Sequence, residues 1–185
     1  PEALKHWDAF YAYLTSEEGL SKKVALEAVS RGGLFAYRWA AQNPSSIACI
    51  YAEVPVCDFK SWPLGSGDGL GNPKTWQALL KAYQFSQAEA LEYRQNPIDV
   101  LDPIAKSKVP LLHLVSLNDK VVPPKENTCV LAERYRQLGG EIEIIEVEEA
   151  PRVNGHHFDH PDPARVADFI PVSYTHLTLP TSYAV

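Results

Sequence analysis

The sequence of 185 residues contains no methionine. It has no initiator residue and no charged-then-apolar leader at Pro1. The opening "PEALKHWDAFYAYL" already follows a helical pattern. The chain therefore reads as a piece of a longer protein, with its true N-terminus and any targeting signal upstream. No apolar run approaches the roughly 18 residues of a membrane helix. Basic residues are the minority: 17 Lys and Arg stand against 23 Asp and Glu, for a net charge of −6. That lacks the basic footprint of a nucleic-acid binder. Cysteine is scarce. Cys49, Cys57 and Cys129 are an odd count with no C-x-x-C spacing, which gives neither a disulfide framework nor a zinc frame and fixes no compartment. Cys49 lies in an apolar run and is expected as a buried thiol. What is present is an ordinary globular balance, 45% hydrophobic and 22% charged. The length suits one domain of roughly 100–200 residues.

Period and punctuation place the elements. Leu4, Trp7, Phe10, Tyr11 and Leu14 mark one face of a helix over 2–15. "VALEAV" at 24–29 reads as a strand, and "RGGLFAYRWAAQ" as a helix stopped by Asn43-Pro44. "IACIYAEV" at 47–54 suits a buried parallel strand. Residues 58–74 change character, with glycine at 65, 67, 69 and 71 and proline at 63 and 73, and read as an irregular loop. Two short helical stretches follow, the second opened by a Ser86/Glu89 capping box. Residues 59–100 therefore look like a lid-like insertion between sheet elements. "VPLLHLVSL" at 109–117 and "EIEIIEV" at 141–147 are further strands, with a helix over 124–138 between them ended by Gly139-Gly140. Asp162-Pro163 opens a last helix expected to run through Ile170. Strand and helix alternate, which implies an α/β fold with a parallel sheet flanked by helices on both faces.

The tail 171–185, "PVSYTHLTLPTSYAV", has no charged residue and no clear period. It resembles the translated sequencing-adapter peptide that contaminates assembled sequences. The folded unit is accordingly expected over 1–170, with 171–185 a non-native tail. The competing reading is an extra strand.

The strand–turn–helix at 24–39 carries the strongest chemical signal. A serine on a sharp turn between a parallel strand and a helix follows the pattern G-x-S-x-G, here Ala28-Val29-Ser30-Arg31-Gly32. Small flanking residues let the two backbones approach, and Ala28 is the smallest departure from glycine. Gly32 and Gly33 are expected to let the helix start pack against the sheet. The Arg31 backbone N–H would then face the same point as Ser30 Oγ and serve as an oxyanion donor. The plain alternative is a Ser-Arg-Gly-Gly turn that caps a helix. An acid and a histidine should follow later strands in that order. Asp119 stands directly after the strand ending at Leu117, in "SLNDKVVPP", and His156 and His157 follow the last strand, in "NGHHFDHPDP". All three positions fall beyond strand C-terminal ends, where open α/β sheets bind ligands.

On "VSRGG", "SLNDKVVPP" and "NGHHFDHPDP", residues 1–170 resemble the α/β-hydrolase fold. The likeness is specifically to bacterial esterases and peptidases related to the prolyl-oligopeptidase and dienelactone-hydrolase groups. The resemblance implies Ser30 as nucleophile, Asp119 as acid and a histidine of the 156–157 pair as base. His156 is favoured over His157 because Gly155-His156-His157-Phe158 is similar to the family's G-H-x-F pattern. It implies a cofactor-free serine hydrolase that cleaves a carboxylic ester through an acyl-enzyme. The alternatives are a serine peptidase of prolyl-oligopeptidase type and a non-catalytic α/β binding domain. The family's first strands, and the loop that supplies its other oxyanion donor, have no counterpart in this sequence. The piece alone is therefore expected to be poorly active.

Other clusters compete. His156, His157, Asp159 and His160 could ligate a metal, but no H-E-x-x-H helix or cysteine partner accompanies them. "GSGDGLG" at 65–71 is glycine-rich but misses G-x-G-x-x-G, so a phosphate cradle is not expected. Asp58 also follows a strand and is a candidate acid or a structural anchor. Trp62 and Trp76 are candidates for a platform that binds a carbohydrate or aromatic part of a small-molecule ester, or for lid core.

Overall fold

A computed structural model describes residues 2–175. Four parallel strands form one sheet in the order β1 (Val24–Val29), β2 (Ile47–Glu53), β3 (Leu111–Ser116) and β4 (Ile142–Val147). The helices are α1 (Glu2–Ser16), α2 (Gly33–Gln42), α3 (Pro73–Tyr83), α4 (Gln87–Glu92), α5 (Asp102–Lys106), α6 (Thr128–Gln137) and α7 (Pro163–Thr175). The inner strands β2 and β3 are buried almost throughout, as their unbroken apolar runs require. The outer strand β4 alternates isoleucine with exposed Glu143 and Glu146. Charges so placed discourage further pairing at its edge.

The two faces of the sheet bury different helices. On one face Tyr37 and Trp39 of α2 and Leu131 and Tyr135 of α6 pack with Ile47, Ile50 and Leu111. α1 lies over α2: Leu4, Trp7 and Tyr11 join this cluster, and Trp39 Nε1 donates to Asp8 Oδ1 at 2.8 Å. On the other face Val166, Phe169 and Ile170 of α7 pack on Cys49, Tyr51, Leu112 and Leu114. Burial of Cys49 pushes its thiol up to about 11, so it is an inert core group.

The aromatic side chains of 59–93 cluster and pack with Leu34 of α2, Val56 after β2 and Val122 after β3. Phe59, Tyr83, Phe85 and Tyr93 form a ring cluster, with Phe59 stacked on Tyr93 at 5.1 Å between centroids. Ser86 and Glu89 exchange both hydrogen bonds of the capping box. The glycine-rich segment folds against the loop after β3. Leu70 N donates to Lys120 O at 2.6 Å, and Ser61 Oγ donates to Glu126 Oε2 at 2.6 Å. It is a strap on that loop and follows no strand into a helix.

One local expectation is corrected. The helix expected to stop at Ile170 continues through Pro171 to Thr175. A proline inside a helix costs roughly 3 kcal/mol, but packing outweighs it here. Phe169 and Ser173, one turn apart, are both buried, Ser173 Oγ donates to Phe169 O at 2.8 Å, and Ala25 N of β1 donates to Tyr174 Oη at 2.9 Å. Residues 171–175, assigned from sequence to the tail, are thus joined to the fold, while 176–185 lie outside the described residues. α5, which no sequence expectation covered, has five residues, too few to show a period. Among the described residues no helix is long and apolar enough to cross a membrane.

Candidate active site

Ser30 occupies the turn between β1 and α2 in a left-handed conformation, φ 51°. Such a backbone costs a non-glycine residue about 1–3 kcal/mol and persists only when its surroundings impose it. Here the imposing contact is Val56 N, which donates to Ser30 O at 2.9 Å. Gly33 explains how α2 can start so close to the segment after β2. A Cβ on Gly33 would stand 2.7 Å from Val56 O. Gly32 does not share that role, because a Cβ there would meet Ala28 Cβ at an ordinary 3.7 Å. The approach is permitted at 33 by glycine and at 28 by alanine. The Arg31 N–H lies in the first turn of the helical segment, where backbone donors lack intrahelical acceptors.

The structure brings three of the singled-out side chains together. Ser30 Oγ lies 3.0 Å from His156 Nε2, and His156 Nδ1 lies 2.7 Å from Asp119 Oδ2. His156 and Asp119 are only 5% and 4% exposed. Asp119 Oδ1 accepts from Val121 N at 2.8 Å and Val122 N at 2.9 Å, so both oxygens of the buried carboxylate are used. A carboxylate only accepts. The His156 proton therefore sits on Nδ1, and the Nε2 lone pair faces the serine hydroxyl. That arrangement can remove the hydroxyl proton as Ser30 attacks an electrophile, and can hold the resulting imidazolium.

His157 is exposed, and its ring centroid lies 5.0 Å from that of His156. Its backbone forms a bridge to Arg152. The remaining potential metal ligands of this loop are dispersed. His160 Nε2 lies 3.0 Å from Tyr51 Oη, Asp159 pairs with Arg152, and no group of three or more such side chains is placed to share an ion among the described residues. Asp58 accepts from Lys60 N at 2.8 Å and faces Lys60 Nζ at 3.8 Å. Burial raises its carboxyl above the usual range. It anchors its own turn. Trp76, a candidate platform, is 5% exposed and packs on Phe59, which leaves no ring face for a ligand. It is core. Trp62 is half-buried against the same cluster.

Two features had no sequence signal. Val153, Asn154 and Gly155, just before His156, are all left-handed, with φ of 48°, 53° and 85°. Asn118 hydrogen-bonds across to the histidine loop. Its place beside Asp119 was visible in the sequence; its partner, 32 residues on, was not.

No family model matches the chain, and no curated protein matches it significantly. Solved structures do. A puromycin hydrolase matches with TM-score 0.62 and 21% identity over 96% of this chain and 26% of its own. The acylaminoacyl peptidase of Pyrococcus horikoshii matches with TM-score 0.62 and 15% identity over 98% of this chain and 28% of its own. Acetyl xylan esterase 1 from Thermoanaerobacterium matches with TM-score 0.60 and 17% identity over 89% of this chain and 50% of its own. The chain spans about a quarter of the length of those two larger hydrolases. Four parallel strands, their flanking helices and these matches show an α/β fold that corresponds to a portion of α/β-hydrolase chains.

Proposed function

We propose that this protein is a serine hydrolase that cleaves a carboxylic ester through an acyl-enzyme. The observation that carries the reading is the pair of contacts at His156, 3.0 Å to Ser30 Oγ and 2.7 Å to Asp119 Oδ2. Ser30 is the nucleophile, His156 the general base and then acid, and Asp119 the group that fixes its tautomer. Ser30 attacks the acyl carbonyl while His156 takes the hydroxyl proton. The oxyanion forms near the Arg31 N–H, the alcohol departs with the proton from His156, and water repeats the sequence on the acyl-enzyme.

A second reading is amide or peptide cleavage. It is favoured by the likeness to a puromycin hydrolase and an acylaminoacyl peptidase, and the same three side chains serve it with an amine leaving group. An acylated carbohydrate as substrate loses the support of Trp76 and keeps that of half-buried Trp62 and the likeness to an acetyl xylan esterase.

The test uses the full-length protein. A fluorophosphonate should label it at Ser30, and Ser30→Ala should remove the label. Turnover of short-chain aryl esters against aminoacyl amides then separates the two readings. No label and no turnover of either class would leave a non-catalytic binding domain instead.

A further inference from the structure

The acid and the base sit on separate loops, after β3 and β4, and something must hold those loops at one spacing. Ala150, in the histidine loop, is 3% exposed, so its peptide groups need partners. Both are met by one side chain. Ala150 N donates to Asn118 Oδ1 at 2.9 Å, and Asn118 Nδ2 donates to Ala150 O at 3.2 Å. The carboxamide is itself fixed by Ser116 Oγ, which donates to Asn118 Oδ1 at 2.6 Å. A second tie lies at the loop tip, where Lys120 N donates to Asn154 O at 2.9 Å. Directly after the second tie Gly155 is left-handed, and a Cβ on it would collide with the Asn118 carbonyl oxygen. The next residue is His156, and the residue after Asn118 is Asp119.

We propose that Asn118 is a positioning residue that locks the histidine loop to the acid loop and thereby sets the Asp119–His156 distance. The proposal deepens the serine-hydrolase reading and rests on it for its catalytic consequence. Its geometric content stands on the hydrogen bonds alone. The chemistry asks for asparagine. A side chain that pairs with both the N–H and the C=O of one residue needs a donor and an acceptor side by side. Aspartate would keep the acceptor, lose the donor and set a charge against the Ala150 carbonyl. Alanine would leave both buried groups unpaired. Asn118 itself is an exposed residue, so replacing it opens no cavity in the core.

The experiment uses Asn118→Ala and Asn118→Asp in the full-length protein, with steady-state kinetics, melting temperature and the imidazole proton NMR spectrum. A proton on His156 Nδ1 held against the buried Asp119 gives a far-downfield resonance, assigned by its loss in His156→Gln. In both variants that resonance should broaden or vanish at low temperature, well below melting. kcat should fall about 10–100-fold, the scale of a misplaced catalytic group, with KM within about twofold. A variant that keeps both the wild-type resonance and the wild-type kcat overturns the proposal. So does a fall in kcat with the resonance intact, because the loss would then not pass through the Asp119–His156 contact. If the wild type proves inactive on every acyl substrate, the hydrolase reading fails. The resonance still decides whether Asn118 sets the contact.

Discussion

Ser30 and His156 stand 126 residues apart in sequence and 3.0 Å apart at Oγ and Nε2. Three backbone devices produce that contact: a left-handed Ser30, a left-handed run over 153–155 and the hydrogen bonds that seat the histidine loop on the acid loop. Local strain at Ser30 and just before His156 is held by tertiary contacts.

The first prediction concerns the nucleophile and the acid. In the full-length protein Ser30→Ala should lower kcat by about 10⁴-fold or more, and Asp119→Asn by about 10⁴-fold, because the wrong His156 tautomer is then favoured. Melting temperature of Ser30→Ala should not fall, since the change relieves no packing and removes one half-buried hydroxyl. Wild-type turnover in Ser30→Ala would remove it from the mechanism.

A second prediction separates the neighbouring histidines. His156→Gln should abolish fluorophosphonate labelling of Ser30. His157→Gln should label at near the wild-type rate, since that ring is exposed and makes no contact with Ser30 or Asp119. The reverse pattern would exchange their roles.

Paired glycine substitutions test the elbow. Gly33→Ala forces a Cβ against the Val56 carbonyl at 2.7 Å, a backbone atom that cannot swing aside. The expected cost is about 1–3 kcal/mol in urea unfolding. Gly32→Ala adds a contact at 3.7 Å and should stay within about 0.5 kcal/mol. Equal effects would refute the close-approach explanation.

Acid stability offers a fourth test, at His113. Its ring is fully buried on β3, 2.6 Å from Tyr37 Oη at Nε2 and 2.9 Å from Thr128 Oγ1 at Nδ1. A neutral imidazole has one donor and one acceptor nitrogen, which these two hydroxyls can match. Burial lowers its pKa to about 3, against about 6.5 in an unfolded chain. Between those values the unfolded state binds a proton that the folded state does not, so stability rises with pH through that window and is lost as pH falls through it. One such group contributes a slope of up to about 1.4 kcal/mol per pH unit. Urea unfolding of wild type and His113→Gln from pH 4 to 7 should differ in slope by about one proton. Parallel curves would mean that His113 is not held neutral.

Much of the fold was legible because its signals are local. β2 and β3 are apolar runs that only a strand with both faces covered can use. Ser86 and Glu89 announce a helix start by their own side chains, and Asp162 accepts from Arg165 N at 3.1 Å as an N-cap does. Ser30, Asp119 and the His156–His157 pair were nameable because each follows a strand, and a parallel sheet sends every strand C-terminus to one edge. Where the sequence misled, the deciding contact was distant. Pro171 ends a helix in isolation, but Ser173 and Tyr174 gain partners on the sheet. Trp76 is equally suited to a ligand platform and to a core, and only the nearness of Phe59 assigns it. The residue types and their order along the chain determined the sheet, the elbow and the chemistry available to it. Which histidine meets Ser30, and that Asn118 bonds to a residue 32 positions on, were decided by the tertiary structure, because side-chain distances across two loops are set by hydrogen bonds between backbones that the sequence does not bring near each other.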